Sequence, residues 1–360
     1  MRTFFFRILK TSGIVFAVVW SFFAALFTGL LFVMLLGLGI GLATQSGSAI
    51  DQNLEYTAGN ENAEHSFVAI PVEGLILGEP LKTDSLLELF SEQGVTYGYE
   101  VKELLIELAD EDSVDGVVLE IHSPGGTLFG TKAITDGVAY YQEKTGKPVY
   151  AYIGSLAASG GYWAAVSADQ VYADLGTTMG SIGVITGPFK YYDQVISEGY
   201  GIVGPTVETT GGISTEYITA GRHKDLGNPY RQLSEEERTV MQASVDQAYQ
   251  AFIEYVAERR GLEVSMVDET VGALIYGEVQ SKELGLIDEI ADKQTVYKQL
   301  ATNVGIAEDE FKIMRPYREL GFFESMLSSF NSAPQPQAGL IFCTQPVAMA
   351  FAGDLQVYCQ

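Results

Sequence analysis

The sequence predicts an α/β domain, because strand-like and helix-like segments alternate along its central part. Residues 116–121 form a short apolar run typical of a buried strand, and residues 127–144 are expected to follow as a helix. A second strand-like run, residues 148–153, comes directly after it. This strand–helix–strand order favours helices that pack on sheets.

The flanking segments extend the same pattern. Residues 67–72 and 74–77 predict two strands separated by a Pro/Gly interruption, and residues 101–109 predict a helix. A long helix is expected to begin after Ser234, where Ser234-Glu235-Glu236-Glu237 has the pattern of a capping box, and to end at Gly261. Its expected buried stripe consists of Met241, Val245, Ala248, Phe252 and Val256.

The N-terminal part of the chain predicts a membrane anchor over residues 12–43. No charged residue lies between Lys10 and Asp51, and about 20 apolar residues are enough to span a bilayer. The alternative is a cleaved signal peptide, whose apolar core is usually about half as long. The basic residues Arg2, Arg7 and Lys10 predict that residues 1–11 are cytoplasmic and that the rest is exported across the inner (plasma) membrane. Residues 44–65 are polar and predict a linker.

The exported part is strongly acidic. Beyond residue 50 the chain has 18 basic and 46 acidic side chains, a net charge of −28. This balance excludes nucleic acid as a partner, because phosphate binding requires positive charge.

Cysteine and histidine are scarce, and their spacing does not predict a metal site or a bound cofactor. Cys343 and Cys359 are the two cysteines of the chain. In an exported compartment they can form a disulfide that closes a loop of about 16 residues, or they can remain free thiols.

The strongest local candidate for chemistry is Ser159, within Ala157-Ala158-Ser159-Gly160-Gly161-Tyr162. An apolar strand precedes it and a short apolar helix is expected to follow, so its hydroxyl would lie beside the free N–H groups of a first helical turn. Serine is also a common N-cap residue, and an N-cap followed by a packing turn is the alternative interpretation.

A nucleophilic serine needs donors for the developing oxyanion. Ser123-Pro124-Gly125-Gly126 is expected to form a turn after a strand, and its glycines leave their N–H groups accessible. Gly125 and Gly126, with the N–H of Gly160, would form an oxyanion hole. A plain Pro-Gly turn is the alternative.

The residues alone leave the general base open. A histidine mechanism would use His122 or His223, with Asp225 two residues after His223. A lysine mechanism would use an amine whose pKa falls on burial, for which Lys224 is one candidate among many.

Five motifs in order resemble the signal peptide peptidase A family, which are membrane-anchored serine peptidases with a Clp-protease/crotonase-like fold. The resemblance covers about residues 66–293, and the motifs are Ser123-Pro124-Gly125-Gly126, the Ser159 motif, Gly180-Ser181-Ile182-Gly183-Val184, Gly221-Arg222-His223-Lys224-Asp225 with Asn228-Pro229-Tyr230-Arg231, and Gly285-Leu286-Ile287-Asp288-Glu289.

The resemblance implies stacked β-sheets with flanking helices behind one transmembrane helix. It implies a peptidase domain over residues 66–313, and it leaves residues 314–360 as a tail of unassigned role. It also implies Ser159 as nucleophile, Lys224 as general base, Ser181 as the residue that orients the lysine, and the Ser123–Gly126 segment as oxyanion hole. Family members with one copy of the unit form ring-like homo-oligomers whose sites are completed across subunits.

The expected function is an endopeptidase that degrades remnant signal peptides and other apolar peptides near the membrane. One alternative is an inactive ring that holds membrane proteins as a scaffold or quality-control partner. Another is a crotonase-type acyl-CoA enzyme, since a shared fold does not decide function.

Overall fold

The computed structural model describes residues 54–80, 94–187, 189, 199–201, 204–206, 220, 222–229, 231–317 and 349–351. The predicted cytoplasmic segment 1–11, the predicted anchor 12–43, and Cys343 and Cys359 lie outside these ranges. Within the described ranges, no helix is both long and apolar enough to cross a bilayer.

A mixed, mostly parallel β-sheet forms the centre of the described structure. Its main strand order is β1-β12-β2-β4-β5-β6-β11, with β3, β7, β10 and β13 joined at its sides and β8-β9 as a separate pair. The strands are β1 (Leu54–Gly59), β2 (His65–Leu77), β3 (Val95–Tyr97), β4 (Val114–Thr127), β5 (Val149–Ala158), β6 (Gln170–Ala173), β7 (Thr178–Gly180), β8 (Gly199–Gly201), β9 (Gly204–Thr206), β10 (Ile275–Gly277), β11 (Glu289–Ile290), β12 (Phe311–Pro316) and β13 (Met349–Phe351).

Helices follow the central strands, as the alternating pattern predicts. They are α1 (Gly98–Leu108), α2 (Leu128–Thr145), α3 (Gly160–Ala165), α4 (Glu235–Arg260), α5 (Glu278–Glu283) and α6 (Lys293–Asn303), with a π-helical turn at Met266–Val271. Strands β2, β4 and β5 pair in parallel and bury nearly continuous apolar runs. Such runs are typical of strands covered on both faces. The predicted α/β class is therefore confirmed as a mixed α/β sheet.

Strand β2 is continuous where the sequence predicts two strands. Gly74 lies in a register shift between Glu73 and Leu75, with φ of +62°. A Cβ atom at Gly74 would lie 1.7 Å from the carbonyl oxygen of Gly94, so only glycine fits this bulge. The bulge turns the carbonyl of Gly74 towards Ser123, whose Oγ donates to it at 2.6 Å.

Two segments belong to the sheet although the sequence places them in the linker and the tail: strand β1 and the end of β12. Strand β1, within the predicted linker 44–65, pairs antiparallel with β12. Strand β12 pairs with β2 through Met314 and extends along β1 to Pro316. Strand β1 is mostly exposed and joins the sheet through its backbone. An edge strand of this kind has no apolar run for the sequence to reveal.

Helix α4 has the predicted ends. Ser234 and Glu237 form the capping box, and Gly261 adopts the left-handed conformation that ends the helix. Of the predicted buried stripe, Phe252 and Val256 are buried, whereas Met241, Val245 and Ala248 are only half-buried. The difference arises because the C-terminal half of α4 packs on α3, where the Phe252 ring stacks on Trp163 at 4.2 Å.

Candidate active site

Ser159 lies at the junction of β5 and α3, as the sequence predicts. Its side chain is fully buried, and its Oγ donates to the carbonyl oxygen of Gly183 at 3.2 Å. It does not act as an ordinary N-cap, because its side chain accepts no hydrogen bond from α3 and its φ and ψ are 53° and −118°. The N-cap alternative therefore does not describe this serine.

Backbone strain marks three of the candidate motifs. Among the described residues, the non-glycine positions with positive φ are Ser159, Ser181 and His223. Each such conformation costs on the order of 1–3 kcal/mol, and strain of this kind concentrates at functional sites. These residues belong to the three motifs that contain Ser159, Ser181 and Lys224.

The Ser123-Pro124-Gly125-Gly126 segment is part of strand β4, so the predicted turn is wrong. Pairing with β2 passes from His122 directly to Gly125, and Ser123 and Pro124 form a bulge between them. A bulge tolerates proline, which cannot donate to a sheet ladder. Ser123 is fully buried and its Oγ accepts from the N–H of Gly125 at 3.0 Å.

Strand register brings this segment against the serine motif. Ser123 pairs with Ala157 of β5, two residues before Ser159. A Cβ atom at Gly161 would lie 2.6 Å from the carbonyl oxygen of Ser123, so the two backbones approach as closely as glycine allows. Gly160 begins the first turn of α3, whose N–H groups have no side-chain cap.

Ser181 lies beside Ser159 for the same reason. Ala158 of β5 pairs in parallel with Gly180 of β7, so Ser159 and Ser181 follow paired residues. The N–H of Ser159 donates to the carbonyl oxygen of Gly180 at 2.8 Å, and the N–H of Ser181 donates to that of Leu274 at 2.7 Å. The sheet therefore brings the serine motif, the glycine segment and Ser181 together.

Lys224 is exposed and lies in a turn over residues 222–227. Within the described part of the chain, its amine makes no hydrogen bond to Ser159 or Ser181. The histidines also have other partners: His122 contacts the Oγ of Ser155, and His223 lies 3.1 Å from carboxylate oxygens of both Glu236 and Glu237.

A group of charged side chains, here called the carboxylate clamp, holds this turn on the first turn of α4. It consists of His223, Asp225, Arg231 and Glu237. Arg231 donates from Nε and Nη2 to Asp225, and from Nη1 and Nη2 to Glu237, at 2.7–2.8 Å. Hydrogen bonds from Arg231 lower the pKa of Asp225 to about 2, and they lower the pKa of Glu237 as well.

The clamp predicts a pH-dependent contribution to stability. A carboxylate whose folded pKa is lowered stabilises the fold above its unfolded pKa, and the contribution disappears as the pH falls through the folded value. Replacing Arg231 by glutamine should lower the Tm by a few degrees at pH 5–7. The part of this Tm difference between wild type and variant that is due to Asp225 should shrink as the pH falls from about 4 to 2. Thermal unfolding of both proteins across this range measures the Tm difference. A Tm difference that stays constant down to pH 2 would contradict the role of the clamp.

The clamp and helix α3 contact different parts of α4. The clamp holds Glu237 in the first turn, whereas α3 packs at Phe252 through Trp163. The 15 residues between Glu237 and Phe252 correspond to about 22 Å of helix. The clamp, which holds the turn that contains Lys224, and α3, which follows Ser159, therefore contact α4 about four turns apart.

Two arginines in the last turn of α4 fix this helix to its neighbours. Arg259 donates to the carbonyl oxygens of Val166, Ser167 and Ala168, which follow α3. Arg260 forms a two-point ion pair with Asp288. The carbonyl groups that Arg259 reaches are more than 90 residues away in the sequence, so local spacing gives no sign of these contacts.

The motif at residues 285–289 supports the same region. The hydroxyl of Tyr162 donates to the carbonyl oxygen of Leu286 at 2.8 Å, and Asp288 accepts from the N–H of Val171 at 2.7 Å. Across the described ranges, no group of three or more His, Cys, Asp or Glu side chains is arranged to hold a metal ion.

Known proteins are similar to this chain. The family model described as Peptidase family S49 matches residues 141–307, a range that includes Ser159, Ser181 and Lys224. The chain is 31% identical over 207 residues to "Putative protease MJ0651" of Methanocaldococcus jannaschii, and 33% identical over 186 residues to "Putative signal peptide peptidase SppA" of Enterococcus faecium. It is 30% identical over 230 residues to "Protease 4" of Haemophilus influenzae.

These matches cover 58%, 52% and 64% of this chain, and 62%, 50% and 33% of the three relatives. Among solved structures, the 1510-N membrane-bound stomatin-specific protease aligns with a TM-score of 0.41 and 15% identity, over 73% of this chain and 100% of the other. A ClpP1 from Listeria monocytogenes aligns with a TM-score of 0.38 and 13% identity, over 63% of this chain and 92% of the other.

The range matched by the family model contains β5, Ser159 and α3. The chain is thus similar over residues 141–307 to Peptidase family S49, and over 52–64% of its length to three relatives with protease or peptidase names.

Proposed function

We propose that the protein is a serine endopeptidase in which Ser159 is the nucleophile, Lys224 the general base and Ser181 the residue that orients the lysine. The observation that carries the proposal is the buried, strained Ser159, which the sheet places beside Ser181 and against the Ser123–Gly126 segment. The protease names of the relatives agree with this chemistry.

The reaction needs a neutral lysine amine. The amine takes the proton of Ser159 as Oγ attacks the substrate carbonyl, and it then gives that proton to the leaving nitrogen as the peptide bond breaks. Water then attacks the resulting ester and loses a proton to the amine. The amine returns this proton to Oγ of Ser159 as the ester bond breaks and the peptide acid leaves. The N–H groups of Gly160 and of the Gly125–Gly126 segment stabilise the oxyanion, and one such donor contributes roughly 3 kcal/mol in the transition state.

The lysine of the site comes from a second copy of the chain. Two features support this: Ser159 is fully buried beside α3, and Lys224 is exposed in a turn that the clamp fixes at the other part of α4. An exposed lysine on a fixed turn can enter a neighbouring subunit without unfolding its own. A homo-oligomer would thus complete each site, and an isolated subunit would be inactive.

The substrates are remnant signal peptides and other apolar peptides released near the membrane. The apolar run 12–43 supports a bilayer anchor, and the basic residues before it support a cytoplasmic N-terminus with the peptidase domain on the exported side. This location would place Ser159 where cleaved signal peptides accumulate. No cofactor takes part in the reaction.

Active-site labelling tests the proposal. A fluorophosphonate added to the detergent-solubilised full-length oligomer should form one adduct per active site, on Ser159, because the probe phosphonylates an activated serine. Mass spectrometry locates the adduct, and native mass analysis counts the subunits. The Ser159→Ala protein is the matched control and should remain unlabelled. An intact oligomer without adduct and without hydrolysis of an apolar fluorogenic peptide would favour the scaffold function instead.

A further inference from the structure

His122 is a candidate residue of the sequence that the proposed dyad does not use. It lies on β4 directly before the Ser123–Gly126 segment, and it pairs with Glu73 of β2. The Cβ of the neighbouring Ser123 faces α3, because a Cβ atom at Gly161 would lie 3.1 Å from it. Side chains alternate along a strand, so the exposed His122 ring lies on the opposite face of the sheet.

The contact partner of the His122 ring is Ser155 of β5, whose Oγ lies against Nδ1. Ser155 lies where the two strands lose their regular register. The pairing of β4 with β5 is regular up to Ile153 and resumes at Ala157, which pairs with Ser123. Since an irregular stretch disrupts the ladder of hydrogen bonds locally, the side-chain contact holds the two strands together where the backbone does not.

A second side-chain contact lies at the same level of the sheet, on the other side of β4. The Oγ1 of Thr96 on β3 accepts from the N–H of Glu73 and donates to its carbonyl oxygen, both at 2.8 Å. The pairing of β2 with β4 shifts directly after Glu73, at the Gly74 bulge. A side-chain contact therefore lies beside each irregular stretch, just before β4 becomes the glycine segment.

The two strands that His122 and Ser155 join carry the two halves of the candidate site. Beyond His122, β4 continues into Gly125 and Gly126, and beyond Ser155, β5 continues to Ser159. A shift of one strand against the other at this level would change the distance between Ser159 and the proposed donors. Oxyanion donors act only at a hydrogen-bond distance of about 3 Å, so the rate is sensitive to such a shift.

We propose that His122 and Ser155 form a positioning pair that fixes the spacing between Ser159 and the Gly125–Gly126 donors, an inference that rests on the proposed peptidase function. Neither side chain touches the substrate; both act through the strands that hold them. A cross-strand pair contributes only modestly to stability, so its loss should appear in the rate rather than in the fold. Misplaced donors weaken the transition state and not the bound substrate, which lowers kcat at unchanged KM.

His122→Phe tests the pair, because it keeps an aromatic ring and removes Nδ1. Its kcat for an apolar peptide should fall about tenfold at unchanged KM, less than the roughly 10²-fold of a full 1 Å displacement. Ser155→Ala should lose about as much, and the double variant should lose no more than either single variant, since both remove one contact. His122→Asn should keep the wild-type kcat, because its amide can occupy the position of Nδ1.

His65→Phe is the matched control. His65 makes a cross-strand contact at the other end of β4, where Nδ1 lies 3.0 Å from Asp115, and its loss should leave kcat unchanged. A His122→Phe oligomer that has the wild-type kcat would overturn the positioning role and leave the peptidase function intact. A double variant whose loss is the product of the two single losses would also overturn it, because the two residues would then act independently.

Hydrogen exchange tests the pair without peptidase activity. The segments 123–126 and 157–160 should exchange faster in the full-length His122→Phe protein than in the wild type, in His122→Asn and in His65→Phe. Unchanged exchange in both segments would reject the positioning pair, whatever the activity of the wild type. Faster exchange in a protein that hydrolyses no peptide even as wild type would reject the peptidase function alone.

Discussion

Co-assembly of Ser159→Ala chains with Lys224→Ala chains is expected to restore peptidase activity that neither variant has alone. Each single variant should lose at least about 10³-fold in kcat, because members of a catalytic unit act together and the loss of one disables the rest. In the mixed oligomer, one chain supplies an intact lysine and the other an intact serine. Random mixing at equal amounts brings an intact serine and an intact lysine together in about a quarter of the sites. About a quarter of wild-type activity should therefore return.

The experiment uses two differently tagged chains, co-expressed in full length and purified through both tags in sequence. Co-assembly of either variant with a Ser159→Ala/Lys224→Ala double variant is the control, and it should remain inactive because no pair of chains then has both groups. If the mixed oligomer forms but stays as inactive as the single variants, Ser159 and Lys224 act within one chain.

The sequence predicts the surroundings of Ser159 well because they are local. An apolar strand, a serine, two glycines and an apolar helical turn follow one another, and the structure has β5, Ser159 and α3 in that order. The ends of α4 are predicted for the same reason, since the capping box and Gly261 act through neighbouring backbone groups.

Features that depend on distant pairing are not predicted. Ser123-Pro124-Gly125-Gly126 has the composition of a turn, yet β2 and β13 pair with its glycines on both sides and make it a strand. The position of Lys224 depends on the clamp and on the length of α4, and neither is visible in the spacing of the motif. Strand β13 contains only three residues, and its pairing with β4 decides its conformation.

The close approach of the serine motif and the glycine segment gives the other large prediction, a loss of activity in Gly161→Ala. The new Cβ atom would lie 2.6 Å from the carbonyl oxygen of Ser123 and 3.1 Å from its Cβ, and neither neighbour belongs to the far end of a flexible side chain. Strand β4 and helix α3 must therefore move apart. Overpacking of this kind typically costs about 1–3 kcal/mol of stability.

The displacement should affect the rate more than the fold, because it changes the distance between Ser159 and the donors of the oxyanion hole. A shift of the order of 1 Å at reacting groups costs about 10²-fold in rate, so kcat of Gly161→Ala should fall by about that factor. Gly277→Ala is the matched control, since a Cβ there has no neighbour within 4 Å and its φ is an ordinary −72°. Thermal unfolding measures the stability of both variants, and steady-state kinetics measures their kcat. A folded Gly161→Ala protein with wild-type kcat would mean that the glycine segment and Ser159 do not act as one site.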